Sequence, residues 1–411
     1  MDRKTYILER ERFYTKIDHF WADLYGEEYA LYDIALIDEM ELEKIRLASA
    51  RIGAIFFKTA KLLRKVPDAT LLEMGFPKET LSFIRLKTLP VESVISRLDL
   101  IKTENGYKCI EINADTPTFI KELYAINDIV CKEFKVKNPN AHMEQQLCQA
   151  IRKSIDQSTK WLGISHPSVV FTAHDDHIED RETVHYLRNL SSLDAPFVPL
   201  NQLQIEKGVG LFDNNDMKID ILYRQTFPIE NLILDEDDHG NKIGLWLLEL
   251  VSDRKLAIIN PPSAFLLQNK AVQAVIWGLH AESSLFFTDE EHDWIEKYFL
   301  PTYLEPDFFI KNGFVYVKKP SFGREGDTVE IFSPDGIVQY SDAQKSYTNY
   351  IPVYQQYIKH PTIRFQSEKG EQEGNLLVGS FLINGQPSAI GFRVGGMITN
   401  NLSYYLPIAL K

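Results

Sequence analysis

The stretch Ser93–Asn113, SVISRLDLIKTENGYKCIEIN, decides how this chain is read. Polar and apolar residues alternate over 96–100 and again over 110–113, on either side of Asn105-Gly106. Alternation with a period of two marks half-buried strands, and Asn-Gly marks a turn. A β-hairpin is therefore expected. Successive side chains on a strand point to opposite faces, so Arg97 and Asp99 share one face and Leu98 and Leu100 the other. On the return strand Glu111 and Asn113 share a face, opposite Ile110 and Ile112. A two-residue turn at Asn105-Gly106 would pair Leu100 with Glu111 and mix the two sets. A three-residue loop with Gly106 left-handed instead pairs Asp99 with Glu111 and Arg97 with Asn113, gathering the four apolar residues on one face. That register is the expected one. It sets two carboxylates, one amide and one guanidinium on a single patch. Carboxylates that face each other repel unless something positive lies between them. Mg²⁺ suits the set, because it takes hard oxygen ligands and shares them with substrate phosphates. Arg97 could then hold a phosphate or carboxylate bidentately. The plainer alternative is the solvated polar face of an ordinary hairpin.

Outward from the hairpin, residues 1–90 read mainly as helix. One long helix is expected over Glu41–Lys65, with Ile45, Leu47, Ile52, Ile55, Phe56, Ala60 and Leu63 supplying its apolar surface. A helix is expected after Thr116-Pro117, carrying Phe119, Leu123, Ile126 and Val130, and another over 142–162. An α/β unit follows, with strands at Val169–Thr172, Phe197–Leu200 and Ile219–Tyr223 and a helix over 180–191. The polar loop 235–242 suggests a lobe boundary. Helices near 268–280 and 289–298 then give way to strands at 314–319, 328–332, 376–383 and 388–393, with a second turn at Asn384-Gly385. The expected class is α+β, in three regions: helical over 1–90, hairpin plus α/β lobe over 91–240, and strand-rich lobe over 241–411.

Composition narrows the function. With 411 residues the chain can build two or three lobes around a sizeable core. Its 44% hydrophobic and 25% charged content is that of a soluble globular protein. No run of eighteen apolar residues occurs, so no membrane partner is expected. The opening MDRKTYILERERFYTK is charged throughout, unlike a signal peptide, and a cytoplasmic location is expected. Cys109, Cys131 and Cys148 are sparse and lack CxxC spacing, which argues against disulfides and zinc. A formal net charge of −13 disfavours nucleic acid as a partner and suits a cationic substrate such as a polyamine.

Other residues carry weaker signals. Lys319 ends the strand FVYVKK, which runs into PSFGREGD and then TVEIF. Gly323 and Gly326 would let backbone amides turn inward around an anion, although this is not a P-loop. The plainer reading is a hairpin loop with a charged tip. Lys270 sits near a helix start, where a cation opposes the macrodipole and asks for a bound anion; an ordinary exposed lysine is the alternative. Arg393 ends SAIGFR and could stabilise charge on a reacting phosphoryl or tetrahedral centre, or be a rim arginine. His174-Asp175-Asp176-His177 reads as a polar loop rather than a metal cluster, and Glu179-Asp180 could cap the helix beyond it. No Ser-His-Asp or Cys-His arrangement supports a hydrolase.

Taken in order, RLD at 97–99, EINADTPT at 111–118, KKPSFGREG at 318–326, YQQ at 354–356 and GFR at 391–393 resemble the glutathionylspermidine synthase family. The resemblance runs from near residue 10 to the end. It implies an ATP-grasp-like catalytic lobe over 241–411 with an associated pre-ATP-grasp α/β lobe, and ATP and Mg²⁺ as cofactors. Asp99, Glu111 and Asn113 match its magnesium ligands, and Arg97 an ATP-phosphate contact that also serves catalysis. Lys270, Lys319 and Gly326 match nucleotide contacts, with Gly323 in the same loop. Gln355 and Gln356 match the adenine side, and Ile398, Thr399 and Asn400 the last nucleotide contacts. Arg393 matches the arginine held to stabilise the transferring phosphoryl group. Thr116 stands where a serine touches a thiol-peptide substrate, and Glu179, Asp180 and Thr226 match further substrate contacts. The implied activity is an ATP-dependent ligase joining a peptide-like acid to an amine through an acyl phosphate. The rivals are a degenerate nucleotide-binding protein and a small-molecule kinase. Two departures stand out: no counterpart of the family's Cys/His amidase half is present, and Leu377 stands where glutamine is expected.

Overall fold

The computed structural model describes residues 2–324, 326–400 and 402–411, so Glu325 of the expected phosphate loop lies outside the described residues. The decisive hairpin is formed by strands Ile95–Thr103 and Gly106–Asn113. Its register is the expected one, Arg97 opposite Asn113 and Asp99 opposite Glu111. The route to that register differs from expectation. Thr103 pairs with Gly106, so the turn is only Glu104-Asn105, and the ladder shifts between Asp99 and Leu100. Leu100 then pairs with Cys109, which leaves Ile110 as the extra residue of a β-bulge. The bulge does the work assigned to a longer loop. It keeps Leu100 and Cys109 together in the core while Asp99 and Glu111 stay paired. It also corrects one expectation: Ile110 does not join the apolar face but lines the cleft beside Glu111.

Among the described residues, the hairpin belongs to a six-stranded antiparallel sheet. The order is Tyr404–Leu406, Gln386–Gly395, Gly370–Ile383, Ile95–Thr103, Gly106–Asn113, with Thr362–Ser367 also pairing with Gly370–Ile383. Strand Ile95–Thr103 therefore has neighbours on both edges. Arg97 and Asp99 are as buried as Leu98 and Leu100, which rules out a solvated hairpin face. The second expected turn, Asn384-Gly385, closes the pair Ile383 and Gln386. Gly385 is required there: its φ is +78°, and an added Cβ would lie 2.9 Å from the Phe57 ring.

The long helix, Glu39–Leu63, crosses this sheet. Asp38 caps it by accepting from the Glu41 amide at 2.7 Å. Ile45, Ala48, Ile52, Ile55, Phe56, Ala60 and Leu63 recur at helical spacing and are buried, whereas Leu47, expected with them, points outward. The helix after Pro117 begins only at Ile120, behind Phe119 at φ +79°, and passes through a π-turn over Glu122–Ile126.

A parallel three-stranded sheet, in the order Ala257–Ile259, Ile221–Gln225, Val169–Ala173, forms the α/β unit. Phe197–Leu200 does not join it as a strand. Pro196 and Pro199 each lack a ladder donor, and only a single bridge from Phe197 to Phe171 survives. The strand-rich final third supplies an antiparallel five-stranded sheet in the order Thr302–Tyr303, Pro352–Gln356, Tyr316–Pro320, Glu330–Phe332, Val338–Ser341. The fold is thus mixed α/β, and no described helix is long and apolar enough to cross a membrane.

Candidate active site

A cleft opens between the two antiparallel sheets. Arg97, Asp99, Glu111, Asn113, Leu377 and Arg393 line it from the six-stranded sheet, and Val317, Lys319, Ile331 and Gln355 from the five-stranded one. Its space, counted with the open solvent at its mouth, is about 1340 Å³.

The floor is the bulged hairpin. Arg97 donates to both oxygens of Asp99, Nε to Oδ1 at 2.7 Å and Nη2 to Oδ2 at 3.0 Å, and through Nη1 to the Thr118 carbonyl at 2.9 Å. The Asn113 amide lies 3.4 Å from Asp99 Oδ2 and 3.4 Å from Glu111 Oε1. The side chains of Asp99, Glu111 and Asn113 therefore converge on one point. Burial raises the Asp99 carboxyl above its ordinary range even against the pull of Arg97. Burial acts on Glu111 too, but the charges of Lys270, Lys319 and Arg97 outweigh it and hold that carboxyl at about 2.

The opposite wall is cationic. Lys270 immediately precedes helix Ala271–Ala281, as expected. Its Nζ lies 3.5 Å from Glu111 Oε2 and donates to the Gly323 carbonyl at 2.7 Å. Lys319 Nζ donates to Gln355 Oε1 at 2.8 Å and to the carbonyl of Ile110, the bulge residue, at 3.3 Å. Burial brings Lys319 down to about 8, with Glu111 opposing the shift.

The segment 114–118 is pinned from several directions. Gln268 Oε1 accepts from the amides of Ala114 and Asp115, and Asn260 Nδ2 donates to the Asp115 carbonyl at 2.7 Å. Gln225 and Arg324 donate to the Thr116 carbonyl at 3.1 and 3.2 Å. Arg224, fully buried, binds Asp115 Oδ1 at 2.5 Å.

Most of the expected site residues meet here. Thr116, Glu179, Gly323, Gly326, Gln356, Ile398 and Thr399 all line the cleft. A Cβ on Gly326, whose φ is +75°, would sit 2.4 Å from Ile398 Cγ2 and 2.9 Å from the Thr399 carbonyl, so the two loops touch there. Asn400 is not in the lining, but its carbonyl accepts from Arg393 Nη2 at 2.9 Å. Asp180 and Thr226 stand back from the cleft. The Asp180 carboxylate faces His177 Nδ1 at 3.1 Å, and Thr226 Oγ1 accepts from Arg224 at 3.0 Å. His177 caps the helix Ile178–Ser191, in keeping with the polar-loop reading of that segment.

Sequence reasoning missed several lining residues. Tyr29 lines the cleft and donates to Glu122 Oε1 at 2.6 Å, while Glu122 Oε2, deeply buried, has no partner. Burial, reinforced by the charges of Glu122 and Asp180, pushes the nearby Glu179 up to about 8. Arg324 and His360 also line the cleft. Arg324 lies within the quoted KKPSFGREG, so that motif could have yielded it; Tyr29, Glu122 and His360 carry no local signal. Among the described residues no group of three or more His, Cys, Asp or Glu side chains could hold a metal, so any ion at the hairpin has two carboxylates and one amide to draw on.

The fold is shared with a glutathione synthetase-like effector from Globodera pallida. The match has a TM-score of 0.58 at 13% identity and covers 100% of this chain and 98% of the other. The class defined here is therefore a mixed α/β protein of glutathione synthetase-like fold. A relative from Haemophilus influenzae, described as "Putative acid--amine ligase", is 23% identical over 415 residues, spanning 95% of this chain and 90% of its own length. Residues 8–411 match the family described as glutathionylspermidine synthase preATP-grasp, and the chain belongs to that family.

Proposed function

We propose that the protein is an ATP- and Mg²⁺-dependent carboxylate–amine ligase that makes an amide bond through an acyl phosphate. The observation that carries this reading is the facing of Asp99, Glu111 and Asn113 by Lys270 and Lys319 across one cleft. Family membership and the name of the Haemophilus relative point the same way. Two carboxylates and an amide suit a hard cation that completes its shell with phosphate oxygens, so the donor set fits Mg²⁺. When bound, that ion neutralises charge on the transferring phosphoryl group.

The side chains then divide the work. Asp99, Glu111 and Asn113 would hold the metal, and Arg97 would bind the triphosphate. Lys270, Lys319 and the loop around Gly323 and Gly326 hold phosphates, and Gln356, Ile398, Thr399 and Asn400 border the nucleotide within an ATP-grasp-like lobe over 241–411. The γ-phosphoryl group passes to the acid's carboxylate oxygen as ADP leaves. The acid lies near Thr116. The amine nitrogen attacks the acyl carbon, phosphate departs, and the ammonium proton passes to the Glu179 carboxylate, whose raised proton affinity suits it to accept one. Arg393 stabilises the negative charge that builds up at the reacting centre.

The test is ADP release with MgATP against pools of acids and amines, singly and together. Release that needs both an acid and an amine is the expected result. Release with an acid or alcohol alone would make the protein a kinase, and no release with any pool would make it a binder.

A further inference from the structure

Gln273 belongs to none of the sequence motifs, yet it closes a buried circuit around Lys319. It lies one turn after Lys270 on helix Ala271–Ala281 and is 4% exposed. Its Nε2 donates to the Ile110 carbonyl at 3.0 Å, and its Oε1 accepts from Gln355 Nε2 at 3.1 Å. Gln355, 2% exposed, also donates to Thr302 Oγ1 at 3.2 Å and accepts from Lys319 Nζ at 2.8 Å. Lys319 returns to the Ile110 carbonyl at 3.3 Å, so the circuit is closed.

The direction of every bond is forced. The Ile110 carbonyl can only accept, so Gln273 must present its NH₂ there and its oxygen to Gln355. Thr302 Oγ1 donates to the Leu300 carbonyl at 2.8 Å, leaving it an acceptor for Gln355. Gln355 must therefore present its NH₂ inward and its oxygen to Lys319, an ammonium that can only donate. An obligate acceptor stands at one end and an obligate donor at the other, and the two glutamine amides can fit between them in one orientation only. The carbonyl that anchors the circuit belongs to the bulge residue, between Cys109, the partner of Leu100, and Glu111, the partner of Asp99.

We propose that Gln273 is a positioning residue that, through Gln355, aims Lys319 at the nucleotide's phosphates. This rests on the nucleotide reading above. Gln355 then serves the lysine rather than the adenine, since its polar atoms are already committed.

The experiment is calorimetric binding of MgATP and of adenosine to the intact protein and to Gln273→Met, Lys319→Met and the double variant. Methionine keeps the side-chain volume and removes both hydrogen bonds. Gln273→Met is expected to weaken MgATP about tenfold, leave adenosine within about twofold, and add nothing further to the loss in Lys319→Met. A purely structural role would weaken adenosine as well, or give losses that add. Either result, or unchanged MgATP binding by Gln273→Met, overturns the proposal. Should the methionine variant fail to fold, Gln273→Glu keeps the length and sets an oxygen against the Ile110 carbonyl, with the same outcomes expected. If the unaltered protein binds no MgATP, the nucleotide reading itself is wrong and this inference falls with it.

Discussion

Arg97 and Asp99, two residues apart on one strand, are locked together by a bidentate pair at 2.7 and 3.0 Å, buried inside the sheet. Under the proposed function, Asp99 would take a metal and Arg97 a phosphate, each giving up the other. Removing one side strands the other. Arg97→Ala should cost about 3–5 kcal/mol, read as a shift in the urea unfolding midpoint. Arg97→Ala combined with Asp99→Asn should recover part of the loss. A single variant as stable as the unaltered protein would mean that Asp99 finds water or another donor.

Glu111 is the carboxylate held lowest, at about 2, by Lys270, Lys319 and Arg97 acting against its burial. Glu111→Gln removes the negative charge at the centre of that cluster. MgATP binding should weaken by about tenfold or more, while metal-free ATP should bind no worse and even better, because the lysines lose a competitor. Parallel titrations with and without Mg²⁺ make the comparison. An equal loss in both would remove Glu111 from the metal set.

Arg393 reaches the cleft from strand Gln386–Gly395 and is steadied by the Asn400 carbonyl. Once an acid and amine pair is in hand, Arg393→Ala should slow amide formation by about 10²–10³-fold with little change in ATP affinity. A rate within a few-fold of normal rejects its part in the chemistry.

Gly326 is the contact point of two loops, with Ile398 and Thr399 leaning over a backbone at φ +75°. Gly326→Ala has no room for its methyl without displacing that neighbour. Nucleotide affinity should fall clearly, whereas the melting temperature should move only a few degrees, because neither loop carries the core. A fall in melting temperature without loss of affinity would reverse the expected order.

Glu230 has both carboxylate oxygens buried without a partner, and burial, aided by the charge of Asp115, raises it to about 7 from 4.5. The folded state keeps a proton that the unfolded chain releases between those values. Stability from this group is therefore complete below about pH 4.5 and is lost as pH rises toward 7. Glu230→Gln should match the unaltered protein near pH 4 and exceed it near pH 8 in urea midpoint. Equal midpoints at both would show that a water or ion satisfies the carboxylate.

The legible part of the molecule was the part built on local periodicity. Asp99 opposite Glu111 could be read because a register slip would have mixed apolar and polar faces, and helix Asp289–Tyr298 falls where one was expected, near 289–298. The bulge at Ile110 was not legible: a long loop and a short turn plus one extra residue yield the same pairing. Phe197–Leu200 misled because its apolar residues suggest a strand, while Pro196 before it and Pro199 within it lack ladder donors. Tyr29, Glu122 and Gln273 were invisible for a further reason. Each sits on an element whose local pattern reports only its own packing, and only tertiary structure sets Tyr29 in the cleft, Glu122 behind it and Gln273 against Gln355.

Ile110 is a residue that the pairing of the hairpin does not use. Excise it, and every remaining rung keeps its partner: Leu100 with Cys109, Asp99 with Glu111, Arg97 with Asn113. The ladder would become more regular, and the turn at Glu104-Asn105 would not notice. What disappears is one carbonyl freed from strand pairing and turned toward a lysine. A one-residue deletion there is thus a scalpel that separates foldability from chemistry, leaving a well-made protein with its cation unaimed.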